Sequence, residues 1–191
     1  MKSFQEQFDA LFADSPSAAE QLAMKASARS PKDPEPLVFV AVARLKQRNH
    51  AGAVEVLDQA LRLNPRHVTA SALRASTLDR MDDASKALDA WQYLARLMPQ
   101  ARDAWERIAR NADVVGLTDV ALEARRNLAG LLPGNPVLAA DLAVALSRNK
   151  VHAEAVRVFD RVEMIEPGFL QRHPVEAHYA ERSRSALTAT R

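Results

Sequence analysis

The 191-residue sequence contains no cysteine, so disulfides and thiolate metal sites are excluded and its redox compartment leaves no trace. Aromatic residues make up only 5% of it, which is low for a fold built around one large core. Glycine is scarce as well, at 5 residues. No glycine forms a phosphate-cradling loop, a nucleophile elbow or a dinucleotide fingerprint. Neither sign of charge dominates: 26 Lys and Arg against 24 Asp and Glu leave a formal net charge of +2, too balanced to imply a nucleic-acid partner. No apolar run approaches the roughly 20 residues that a membrane-spanning helix needs. Near the N-terminus, Phe4, Phe8, Leu11 and Phe12 are spaced as on an amphipathic helix, which differs from the continuous apolar run of a signal peptide. A cytoplasmic protein without membrane insertion is expected.

What the sequence does have is an ordinary folded composition, 48% hydrophobic and 26% charged, with abundant alanine, the best helix former. It also has five prolines at one constant interval, Pro31, Pro65, Pro99, Pro133 and Pro167, each 34 residues from the next. Other positions repeat in phase with them. One column reads Ala19, Ala53, Ala87, Ala121, Ala155, and a second reads Ala41, Ala75, Ala109, Ala143. Two residues before each later proline stand Leu63, Leu97, Leu131 and Ile165. Small residues at fixed phase let paired helices approach closely, and the aliphatic positions fill the grooves between them. Proline just beyond an apolar position stops the second helix, because it lacks an N–H and biases its predecessor away from the α region.

This period and pattern resemble the tetratricopeptide repeat, a helix–turn–helix unit. The resemblance rests on Leu37, Val40, Ala41, Ala53, Leu57, Ala60 and Pro65 in the first full unit. In the last it rests on Leu142, Ala143, Ala155, Phe159 and Pro167, and in the third on Trp105, Ile108, Ala109 and Gly116. It implies an all-α fold, a right-handed superhelical stack of helix pairs (an α-solenoid), with an irregular helix pair over 1–33. Four repeats follow, 34–67, 68–101, 102–135 and 136–169, and then a capping helix and tail over 170–191. Ser15 or Ser17 is expected to cap the second helix and Pro16 to lie in its first turn. The last helix is expected from Pro174 to about Leu187, with Val175, Tyr179 and Ala186 against the fourth repeat and Arg182 and Arg184 in water.

Some positions depart from the pattern. Ser71 and Arg74 replace large apolar residues, which predicts a rotated or partly exposed helix there. Arg125 occupies the column that holds Leu57, Trp91 and Phe159. A long stem reaching solvent is favoured for it over a buried pair with an acid such as Asp141. Trp91 and Trp105 are expected to pack as core between adjacent units.

Catalytic spacing is missing. His50, His67, His152, His173 and His178 include no pair at the i, i+4 spacing of two metal ligands on one helix face, so they read as surface residues. A non-catalytic protein with no metal and no cofactor is expected.

The resemblance further implies that the first helix of each unit lines a concave groove that holds a protein or peptide. The groove positions are Val38 and Val42, Ala72 and Ser76, Glu106 and Arg110, Ala140 and Val144. Lys46, Arg80, Val114, Arg148 and, by extension, Arg182 line one lip as a basic rail, which suits an acidic or phosphorylated peptide. The competing reading of that rail is helix-end stabilisation, since cations favour helix C-termini. Family members that clamp a C-terminal carboxylate use a Lys and an Asn in the groove, and this sequence lacks both. An adaptor or scaffold is the leading expectation. The alternatives are a small chaperone of a bacterial secretion or assembly system, or an enzyme or regulatory array of a larger complex. The phenylalanine stripe is expected to pack internally, with homodimerisation through the end unit as its alternative.

Overall fold

A computed structural model describes residues 3–189. The described residues form twelve helices and no strand. They are α1 Phe4–Asp14, α2 Pro16–Arg29, α3 Glu35–Lys46, α4 His50–Leu63, α5 Val68–Arg80, α6 Ala84–Leu97, α7 Arg102–Val115, α8 Thr118–Leu131, α9 Pro136–Arg148, α10 His152–Ile165, α11 Phe169–Arg172 and α12 Pro174–Thr188. The chain divides into two compact units between Pro99 and Gln100, within the expected repeat 68–101.

The second helices keep the strictest time. α2, α4, α6, α8 and α10 each hold 14 residues, and their first residues stand 34 apart. The prolines explain where they stop. Ser30, Asn64, Met98, Leu132 and Glu166, each just before a proline of the ladder, have ψ between 67° and 94°, the extended backbone that a following proline ring imposes. Two of the proline carbonyls accept a bond from a second helix further along. Tyr93 Oη donates to the Pro65 oxygen, and Arg161 Nη2 donates to the Pro133 oxygen at 3.1 Å.

The turns between paired helices share a feature that residue identity hides. Arg48, Asp82, Gly116 and Lys150, again 34 apart, have φ of 60°, 55°, 78° and 62°. The next amide in each turn donates back to the carbonyl five residues earlier: Asn49 to Arg44, Asp83 to Leu78, Leu117 to Ala112 and Val151 to Leu146. This is the helix-ending motif that needs one left-handed residue, and only Gly116 meets that need without a Cβ penalty.

Both alanine columns are core, with exposures between 0% and 5%. In the first unit, Phe8, Ala19, Ala23, Val40, Ala43 and Val56 form one cluster, and Val38, Ala41, Ala53, Leu57, Ala60 and Ala70 form another. The phenylalanine stripe belongs to the first: Phe4 and Phe8 meet the Phe39 ring edge-on, at 5.1 and 4.8 Å. Ser3 opens α1 with a reciprocal capping box to Glu6. At α2 the expected serine cap does not form. Ser15 occupies the cap position without a side-chain bond, and Ser17 Oγ donates to Gln47 instead. Ser71 is 2% exposed, so α5 turns its small-residue face inward and is not rotated out. Arg74 sits at the edge of that face and pairs with Asp58 at 2.5 Å.

In the second unit, Leu142, Ala143, Leu146, Ala155, Phe159 and Ala180 share a cluster. α12 packs on α9 and α10 through Tyr179, Ala180 and the fully buried Ser183. Val175, expected on that face, is exposed, and Arg182 and Arg184 are exposed as expected. Glu163 accepts amide bonds from Gly168 and Leu170, which anchors the start of α11.

Candidate functional site

The second unit contains an open cavity of about 300 Å³ whose lining includes Asp113, Arg125, Asp141, Val144, Arg148 and Asn149. Asp113 stands in the last turn of α7, where a carboxylate opposes the helix dipole. Arg125, rising from the middle of α8, offsets this. Its Nη2 donates to Asp113 Oδ2 at 2.6 Å and its Nη1 to Asp113 Oδ1 at 3.3 Å, while Nε donates to Asp141 Oδ2 at 2.9 Å. The Arg125 side chain is only 14% exposed, whereas Asp113 and Asp141 are 51% and 54% exposed. Burial pulls the Arg125 pKa down, but hydrogen bonds and charge from the two aspartates outweigh it and hold the pKa above its ordinary value. The solvent-reaching stem expected for Arg125 is therefore replaced by a doubly paired guanidinium, because carboxylates from two neighbouring helices meet it.

Arg148 closes α9 at the cavity edge. Its Nε donates to Tyr179 Oη at 3.0 Å and its guanidinium lies 5.1 Å from the centre of that ring. Val144 is half-buried on the same helix. Glu106 pairs with Arg102 along α7 at 2.6 Å, and Arg110 is exposed.

In the first unit Val38 does not reach a surface. It is 6% exposed, packed among α3, α4 and α5 residues, so it offers a ligand nothing. Val42 is half-buried against the phenylalanine cluster. Ser76 Oγ donates to the Leu73 carbonyl at 3.0 Å. Lys46 and Arg80 are exposed at the ends of α3 and α5, with Lys46 Nζ 5.7 Å from the Phe12 ring centre. Trp91 is buried and donates its indole N–H to Asp79, and Trp105 is half-buried on α7.

The histidines are not all on the surface. His67 is 8% exposed and caps α5, its Nδ1 accepting from Ala70 N–H at 3.3 Å. That assignment leaves the proton on Nε2, which faces Glu35 Oε1 at 3.1 Å. His152 Nδ1 lies 3.2 Å from Ser183 Oγ. Ser183 donates to Ser147 Oγ and Ser147 donates to the Tyr179 carbonyl, so His152 is the donor to Ser183. With both serines 0% exposed, this is a buried structural chain. A serine nucleophile would need the opposite proton order and access for substrate. Among the described residues no group of three or more His, Asp or Glu is placed to hold a metal ion. No helix among them is long and apolar enough to cross a membrane.

No protein-family model matches the chain, and no curated protein matches it. Solved structures do. MamA (residues 41 to the end) from Desulfovibrio magneticus RS-1 superposes with a TM-score of 0.63 at 22% identity, covering 87% of this chain and 94% of that one. Another MamA structure gives 0.66 at 20% identity, with coverages of 88% and 92%. YrrB, described as a TPR protein with an unusual peptide-binding site, gives 0.63 at 16% identity, with coverages of 87% and 84%. Together with the all-helical architecture and the 34-residue phase, these likenesses establish the fold as a tetratricopeptide-type helical repeat. At such identities they establish the fold alone.

Proposed function

We propose that the chain is a non-catalytic adaptor that holds a segment of another protein against the first helices of its repeats. The supporting observation is the second-unit cavity, where Val144 and Arg148, two positions singled out from sequence, line one open pocket with a charged floor. The peptide-binding site described for YrrB supports the reading by fold analogy. In the first unit the exposed Lys46 and Arg80 suit an acidic stretch of that segment.

The test is affinity capture from the native cell, followed by calorimetry of the captured partner across a salt series. Replacing Arg80, Arg110 and Arg148 by Glu is expected to weaken binding and flatten its salt dependence. Unchanged affinity would return these residues to helix-end stabilisation. A chaperone would instead keep an unfolded client from aggregating, while an adaptor bridges two folded partners, so a light-scattering aggregation assay on the captured protein separates the two.

A further inference from the structure

We propose that the open end of the first helix pair is a docking slot for an acidic segment of a partner protein, one whose acids flank an apolar side chain. It is separate from the groove positions and goes beyond the adaptor reading above. The start of α1 and the end of α2 border one open cavity of about 480 Å³. Phe4, Leu22 and Ala26, all half-buried, give it apolar walls, and the exposed Lys25 and Arg29 line it as well. The lining holds no acid. Neither cation has a hydrogen bond or an ion pair among the described residues. Arg44, Arg74, Arg125 and Arg126, by contrast, are each paired with a carboxylate.

The repeat phase indicates what this surface lacks. Six residues before a ladder proline, Tyr93 of α6 and Arg161 of α10 donate to the carbonyls of Pro65 and Pro133, the prolines that end the second helix of the preceding repeat. Lys25 holds the same position before Pro31, and no described residue offers it that carbonyl. The counterparts of Ala26 are Ala60, Leu94, Leu128 and Val162, at most 5% exposed, whereas Ala26 is only half-buried. Two residues before the proline, where later units have Leu63, Leu97, Leu131 and Ile165, this unit has Arg29. The corresponding surface is thus open in the first unit, and two of its positions carry positive charge. Carboxylates would take the charge-assisted bonds that Lys25 and Arg29 leave unmade, and an aliphatic side chain between them would cover Phe4, Leu22 and Ala26. Arg29 also favours the dipole at the end of α2, but Lys25 stands a turn earlier, where that effect has faded. A concave slot of this size receives a side chain, which favours a polypeptide over a lipid surface.

The test uses the full chain in a ¹⁵N–¹H NMR titration with an acetylated, amidated tripeptide of leucine between two glutamates. Controls replace both glutamates by lysine, both by glutamine, or the leucine by alanine. The glutamate–leucine peptide is expected to shift the Phe4, Leu22 and Ala26 amides saturably, and the lysine peptide is not. The glutamine and alanine peptides are expected to bind at least about tenfold more weakly. The double variant Lys25→Gln, Arg29→Gln changes two exposed side chains and is expected to weaken the acidic peptide by about the same factor. Replacing Arg80, Arg110 and Arg148 by Glu is expected to leave these shifts unchanged, so the slot and the groove reading can fail separately. No saturable shift with the acidic peptide, equal binding of the lysine peptide, or a Lys25→Gln, Arg29→Gln variant that binds like wild type would overturn the proposal. So would sedimentation with phosphatidylserine vesicles that the double variant abolishes while the peptide leaves the slot unshifted, which would assign it to a lipid surface.

Discussion

Trp91 donates its indole N–H to Asp79 at 2.9 Å, across the two helices of one repeat. One period later the same two positions hold Arg125 and Asp113, joined by a forked pair of bonds. In the other two repeats these positions read Leu45 with Leu57 and Ser147 with Phe159. An acid at the first position thus goes with a donor at the second, and without the acid the second position is apolar. If each pair acts as a unit, Asp113→Leu alone should destabilise the protein by about 1–3 kcal/mol, because Arg125 loses its forked partner in a mostly buried site. The double variant Asp113→Leu, Arg125→Leu should recover most of that loss. Urea denaturation of the wild type and the single and double variants measures the coupling, and additive effects would show that the two positions are independent.

The left-handed turn residues lead to a stabilisation experiment. Arg48, Asp82 and Lys150 hold φ of 55–62° with a side chain present. Replacing any one by glycine should raise stability by up to about 1 kcal/mol, the left-handed penalty less glycine's greater unfolded-state entropy. Gly116→Ala should lower it by a similar amount, and a thermal-melt series over these four positions reads the effect directly.

Helix starts offer a second such series. Asn49 and Asp83 accept from the Gly52 and Lys86 amides and so cap α4 and α6, whereas Val151 leaves α10 without a side-chain cap. Asn49→Ala and Asp83→Ala should each cost about 1 kcal/mol, and Val151→Asp should gain about as much. Chemical denaturation at neutral pH is the measurement.

Acid sensitivity follows from three glutamates whose pKa values lie below the ordinary range. At Glu20, burial pushes the value up, but hydrogen bonds from Arg44 and Gln47 outweigh it. At Glu154 the hydrogen bond from Arg126 lowers it, and at Glu163 the backbone amides of Leu170 and Gly168 do. A depressed folded value means that the unfolded chain binds protons more readily. The stabilisation is therefore fully present above the unfolded glutamate value of about 4.3 and is lost as pH falls through the folded values. Calorimetric melting points should drop on acidification from about pH 5 to pH 3, and Glu20→Gln and Glu154→Gln should each make that slope shallower.

The fold could be read from the sequence because its determinants recur along one chain. Proline at a fixed phase ends each second helix through its own covalent geometry, and alanine at two fixed phases marks where helices cross, whatever the neighbouring unit contains. The candidate site was only partly readable. Val144 and Arg148 were picked out by register, but Val38, chosen by the same rule, is enclosed by α4 and α5. Arg125 looked like an exception to a core column. A signal was available in Asp113, which stands where Asp79 faces the Trp91 indole, but it required knowing that those two positions touch.

Local chain chemistry thus decided the period, the helix ends and the buried alanine columns, since each depends on a residue's own backbone preference or size. Tertiary structure decided the charge pairing, the open cavity and the left-handed turns at Arg48, Asp82 and Lys150. These depend on how separate helices come together, and the residue types at the positions concerned do not repeat along the chain even where the positions themselves do. The turns show the difference most plainly: packing of paired helices imposes one φ on four residues, and only one of the four is the glycine that would have announced it.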